Sequence, residues 1–229
     1  MQVYLIRHAQ SENNALTADA VHRRKVDPGL TELGYQQRER LADWLGNQAA
    51  AGEIDIGQLY TSAMARSLLT SQPLGEALGL RPAIWLDIHE KGGLFARQNG
   101  QVSGFGGMTR AAIRQAFPRA QLTEAVTESG WYDTTLGMEP ETHSHYRALK
   151  VAGELRRRAD SQAVAALVSH AGFLDVLIKA LFDQLPSRAH TMRYYHNNTA
   201  ITRIDIERGQ TVMHYLNRVD HLPMALRSW

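Results

Sequence analysis

The chain has 229 residues, 25 Lys and Arg against 23 Asp and Glu, and a formal net charge of +2. Hydrophobic residues make up 44% and charged residues 21%, which excludes a disordered chain and allows a large buried core. Cysteine is absent, which excludes disulfides, thiolate catalysis and thiolate metal sites.

No charged leader with a long apolar stretch opens the chain, so a cytoplasmic location is expected. The longest apolar stretches, at 163–168 and 173–182, are too short or too charged to span a bilayer. Two basic clusters, Arg23-Arg24-Lys25 and Arg156-Arg157-Arg158, are short and read as solvated surface. The expected partner is a small anion, with no nucleic acid and no membrane; a homodimer stays open.

In chain order, residues 2–6 read as a short buried strand. Thr31 caps an amphipathic helix running to about Leu45, with Leu33, Gln37, Leu41 and Trp44 or Leu45 at helical spacing. Gln58–Thr61 is a second strand, followed by a helix over 63–78 that Pro73 should bend or split. Residues 83–86 make a third strand. Residues 91–140 are rich in glycine, weakly periodic and read as an insertion. A long helix over 142–160 follows, with Thr142 as its cap and Tyr146, Leu149, Ala152 and Leu155 or Arg156 along one side. Residues 163–169 are the clearest strand, 172–181 the helix after it, and 199–206 with 211–215 a C-terminal antiparallel hairpin. Alternating strands and helices predict an α/β fold, a mainly parallel open sheet flanked by helices, as one domain over 1–229.

Ligands of an open parallel sheet bind at the carboxyl ends of its strands. Arg7 and His8 follow the first strand, Ser62 and Arg66 the second, His89 and Glu90 the third, and Ser169 and His170 the fourth. Guanidiniums suit phosphate oxygens, a neutral imidazole is a nucleophile, and a carboxyl group can protonate a departing alkoxide. Phosphoryl transfer needs little beyond such positioning and charge neutralisation, so no metal and no cofactor are expected.

Arg7-His8-Ala9-Gln10-Ser11-Glu12-Asn13-Asn14 resembles the N-terminal signature of the histidine phosphatase superfamily, the phosphoglycerate-mutase-like proteins. Asp27-Pro28-Gly29-Leu30-Thr31-Glu32-Leu33-Gly34, Ser62-Ala63-Met64-Ala65-Arg66-Ser67, Val168-Ser169-His170-Ala171-Gly172 and Asn197-Asn198-Thr199-Ala200-Ile201 are similar to its later motifs, in order. The resemblance implies that His8 accepts the phosphoryl group and that Arg7, Arg66 and His170 hold its oxygens. It also implies that Asn14 lines the pocket and that Glu90 is general acid and then base. Ala9 stands where the family usually has glycine, which matters only if that residue needs a positive φ.

The expected activity is a metal-independent phosphatase acting on a small phosphorylated metabolite or related phosphoester through a phosphohistidine at His8. The alternatives are a phosphomutase using the same His8 intermediate, a non-catalytic phospholigand-binding protein and, more weakly, a metal hydrolase. Residues 91–140 are expected to form a cap over His8, with Lys91, Arg97 and Arg110 as anion contacts and Phe95, Phe105, Trp131 and Tyr132 as apolar walls. His22, His143, His145, His190, His196, His214 and His221 are read as packing or solvated residues. His89 either tunes Glu90 or packs beside it.

Overall fold

The structure, a computed structural model, describes residues 1–185 and 192–229; His190 lies outside them. The apolar start of the chain forms β1 (Gln2–Arg7), buried from Val3 onward, as a strand covered by helices on both faces must be. α1 (Glu32–Ala50) starts where the Thr31 hydroxyl accepts the Gly34 N–H. β2 (Gln58–Thr61), α2 (Ala65–Ala77) and β3 (Ala83–Ile84) follow. The insertion holds β4 (Phe95–Gln98), β5 (Gln101–Gly104) and α3 (Arg110–Ala116). α4 (Glu141–Arg157), β6 (Val164–Ser169), α5 (Ala171–Leu181), β7 (Ile201–Glu207) and β8 (Gln210–Arg218) complete the chain.

The main sheet has the order β3-β2-β6-β1-β7-β8. β3, β2, β6 and β1 run parallel, while β7 and β8 are antiparallel additions to the edge. The C-terminal hairpin is therefore part of the sheet, and β4 and β5 pair separately. α4 and α5 cover one face in a cluster including Val151, Leu155, Phe173 and Leu177. The opposite cluster sets Tyr4, Ile6 and Val168 against Leu41, Leu45 and Leu74 of α1 and α2. A third cluster joins Leu94, Ile113, Val126 and Trp131 of the insertion to Met64, Leu68 and Ile84. The insertion thus shares its core with the start of α2 and the end of β3. No helix among the described residues is long and apolar enough to cross a membrane.

Several sequence expectations change. Pro73 does not split α2, which continues through it. The third strand stops at Ile84, and Leu86–Ile88 is a 3-10 turn. α4 begins at Glu141 with Pro140 before it, so Thr142 lies inside the first turn and is not the cap. Its buried side is Ser144, Arg147, Ala148, Val151, Ala152 and Leu155, which leaves Tyr146 and Leu149 exposed. Small residues let α4 approach its neighbours closely, and an ion pair accounts for burial of Arg147.

Candidate active site

Arg7 ends β1 and pairs in register with Ser169, which ends β6. The next residue on each strand is a histidine, and the rings of His8 and His170 lie 5.0 Å apart between centroids. β2 leads into Ser62, and the first turn of α2 brings in Arg66, whose Nε donates to His8 Nε2 at 3.1 Å. His8 Nδ1 sits 2.7 Å from the Ala9 carbonyl. That contact assigns the proton to Nδ1 and leaves the Nε2 lone pair facing the site. The pKa of His8 is held well below the usual imidazole range, chiefly by burial and then by the charges of Arg66 and Arg7. A neutral His8 is the nucleophilic form.

His170 Nε2 lies 2.9 Å from Ser62 Oγ and 3.3 Å from Ser67 Oγ. With a hydroxyl as the donor to Nε2, the imidazole proton is assigned to Nδ1. Among the described residues, His170 Nδ1 and Arg7 Nε are buried without a hydrogen-bond partner. Buried donors are normally paired, so these two are suited to the oxygens of a ligand. Arg7 is anchored by Nη1, which donates to the His196 carbonyl at 2.6 Å. Burial lowers Arg7 to about 10, against the opposing charge of Glu90.

Glu90 arrives from the turn after β3. Its Oε1 accepts the N–H of Lys91 at 2.8 Å and of Phe173 at 2.9 Å, and Oε2 that of Gly172 at 3.2 Å. The carboxyl group therefore caps α5 directly after His170, and its charge reaches both Arg7 and Arg66. A Cβ on Gly172 would fall 2.6 Å from Glu90 Oε1, so this approach requires glycine. Ala9 is not in the left-handed region, so alanine is unstrained there. Its N–H donates to Thr70 Oγ1, which in turn donates to the Arg66 carbonyl.

Asn14 Oδ1 accepts from the N–H and hydroxyl of Ser11, at 3.1 and 2.9 Å, and from Asn198 Nδ2 at 3.4 Å; Asn198 Nδ2 also bonds the His8 carbonyl. Residue-by-residue reading overlooked Asp27 as a support. Its carboxylate accepts the Ala65 N–H and lies 3.8 Å from Arg66 Nη1. Burial raises it to about 6, against the pull of Arg66. The Asp27-Pro28-Gly29 motif was the available signal. Arg24 comes near enough for its charge to act on Arg66, so the basic cluster 23–25 borders the site.

The insertion residues divide. Lys91 pairs with Glu141 at 3.2 Å and lines a recess of about 260 Å³ with Gly172, Lys179 and Tyr194. Arg97 is on the exposed face of β4 beside Met138 and Phe95, and Arg110 bonds the carbonyls of Thr123 and Val126. Trp131 and Tyr132 are largely buried beside His89, and together they line a recess of about 480 Å³ with Leu86, Glu139 and Arg147. The structure brings neither Arg97 nor Trp131 to His8. Nor do His89 and Glu90 meet: His89 Nδ1 pairs with the Leu86 carbonyl, and Nε2 is 3.7 Å from Glu139. Among the described residues, no group of His, Cys, Asp or Glu gathers as metal ligands would.

Residues 3–219 match the histidine phosphatase superfamily, branch 1. The chain belongs to that superfamily. Membership classes this histidine phosphatase as a phosphoric monoester hydrolase. Comparison with curated proteins gives no match. Solved structures share its fold. A phosphoserine phosphatase variant from Entamoeba histolytica, in complex with phosphoserine, is 19% identical, with a TM-score of 0.58 over 97% of this chain and 99% of the other. A mycobacterial glucosyl-3-phosphoglycerate phosphatase is 18% identical, with a TM-score of 0.56 over 95% and 99%. An ecdysone phosphate phosphatase from Bombix mori, in complex with tungstate, is 14% identical, with a TM-score of 0.63 over 97% and 93%.

Proposed function

We propose that this chain hydrolyses a small phosphate monoester through a phosphohistidine at His8, without a metal ion. The observation that carries the reading is the His8 geometry: Nδ1 is tied to the Ala9 carbonyl, Nε2 accepts from the buried Arg66 guanidinium, and the charge of Arg7 also acts on the ring. Arg7, Arg66 and His170 supply charge and donors to the phosphoryl oxygens, which is most of what the transition state asks of a protein. Asn14 lines the pocket wall.

As His8 Nε2 forms its bond to phosphorus, the bond to the ester oxygen breaks and Glu90 gives that oxygen a proton. Water then attacks the phosphohistidine. Its proton passes to Glu90, the nitrogen–phosphorus bond breaks and phosphate leaves. Arg66 Nε must release His8 as substrate arrives, turning from the imidazole to a phosphoryl oxygen. Phosphoserine, glucosyl-3-phosphoglycerate and ecdysone phosphate, named for the structural neighbours, have the phosphoryl group in common. That shared group supports a monoester as the substrate class. Insertion 91–140 is assigned to the non-phosphoryl part through Lys91 and the recess beside Glu90.

Rapid quench with labelled phosphate monoester is expected to trap acid-labile label on the protein, lost in His8→Ala together with turnover. Undiminished label and turnover in His8→Ala would refute the assignment.

A further inference from the structure

Insertion 91–140 begins directly after Glu90 and ends at α4, and one buried ion pair lies where its two ends meet. Glu139 is 4% exposed and Arg147 7%. They meet in a two-pronged pair, Nε to Oε1 and Nη2 to Oε2, each 2.6 Å. Arg147 Nη1 donates to the main-chain carbonyls of Asp87 and, at 3.0 Å, His89. The Glu139 N–H donates to the Gly92 carbonyl at 2.9 Å. The ion pair therefore holds the chain before Glu90, and the main chain of Glu139, fixed by the same pair, holds it after Glu90. A further hold runs through Phe173. The Arg147 guanidinium lies 4.8 Å from its ring centroid, and its N–H is a donor to Glu90 Oε1.

Stability alone is a poor reason for such a pair. Desolvating two charges is costly, and a well-packed apolar pair of similar volume often serves the fold as well. What an apolar pair cannot do is hold the two carbonyls that lead into Glu90. We propose that Arg147 and Glu139 are positioning residues for the reaction, setting where the Glu90 carboxyl group stands relative to His8. This rests on the reading of Glu90 as proton donor. Lysine in place of Arg147 would keep the charge and lose the fork that fits a carboxylate and two carbonyls at once.

The test is the pre-steady-state rate at which His8 is phosphorylated by p-nitrophenyl phosphate and by an alkyl phosphate, in Glu90→Gln, Arg147→Lys and Glu139→Gln. A good leaving group departs without a proton, so Glu90→Gln should slow the alkyl substrate far more than the aryl one. Arg147→Lys should copy that selectivity, about tenfold to hundredfold on the alkyl phosphate and within about threefold on the aryl, as expected of a displaced acid. Glu139→Gln, which keeps one carbonyl oxygen for the fork, should fall between and carries the test if Arg147→Lys fails to fold. Equal losses on both substrates, or no loss in folded variants, would overturn the positioning role while leaving Glu90 as donor. An unselective Glu90→Gln would overturn the donor reading and this inference with it.

Discussion

Gly172 shows how one absent side chain supports the chemistry. Its N–H holds Glu90 Oε2, and a Cβ there would fall 2.6 Å from Oε1. Gly172→Ala puts alanine into the first turn of α5, where helix propensity favours it over glycine by about 1 kcal/mol. The Glu90 carboxyl group, at the end of a flexible side chain, is what yields. The expected outcome is an unchanged or higher Tm together with turnover of alkyl phosphates lower by about tenfold. Wild-type turnover in a folded Gly172→Ala would show that Glu90 need not stand where it does. Arg7, His8, Arg66 and His170 were legible because position after a strand and motif order both mark them, and Glu90 through its place after the third strand alone. Glu139 and Arg147 were not, because they touch the site only through the chain around Glu90, and Asp27 was marked by its motif with no sign of its partner Arg66. Trp131 does line a recess, as expected of an aromatic in the insertion, but one beside His89 and Arg147 instead of His8, and no local pattern tells the two apart.

The elements were legible wherever local pattern decides them: β2 has the predicted bounds, and Thr31 caps α1 as its motif requires. Pattern failed where tertiary contact overrides it, and α2 shows how. Pro73 has no N–H to give the Leu69 carbonyl one turn earlier, a defect that ordinarily kinks or ends a helix. Here Arg38 Nη1 from α1 donates to that carbonyl at 2.9 Å, so the helix continues with the orphaned acceptor satisfied. Arg38→Ala should therefore cost about 1–2 kcal/mol, the penalty of an unpaired carbonyl. In a Pro73→Ala background, the regained backbone N–H can bond the Leu69 carbonyl itself, and the cost of Arg38→Ala should shrink by about 1 kcal/mol. The exposed contacts of Arg38 with Glu39 and Tyr35 cancel in such a cycle. Additive urea-denaturation energies would mean that Arg38 does nothing for the proline.

At the scale of the whole molecule, the buried histidines, two of them in the site, set the acid limit of the fold. Burial lowers His89, His196 and His221 each to about 4 from an unfolded value of 6.5, and holds His8 and His170 well below it. Above 6.5 these groups are neutral in both states and stability does not change with pH on their account. Below it the unfolded chain binds protons that the folded chain refuses, so stability falls by about 1.4 kcal/mol per pH unit for each such histidine. Asp27 works the other way. Raised to about 6 from 3.8, it favours the folded state below 3.8 and loses that contribution as pH rises through 6, so acidification restores it. One carboxyl group opposes five histidines, and the histidines prevail between 6.5 and 4. The urea midpoint should drop steeply from about pH 7 to about pH 5, before any well-paired carboxylate titrates. His221 stands apart from the site, its Nε2 3.0 Å from Thr199 Oγ1, and His221→Gln should flatten the slope by about one histidine's share. Because His8 stays neutral in the folded chain throughout this range, loss of activity in acid should follow unfolding measured by circular dichroism. A midpoint that holds or rises on acidification, or activity lost well before the fold, would show that these histidines take up protons inside the native structure.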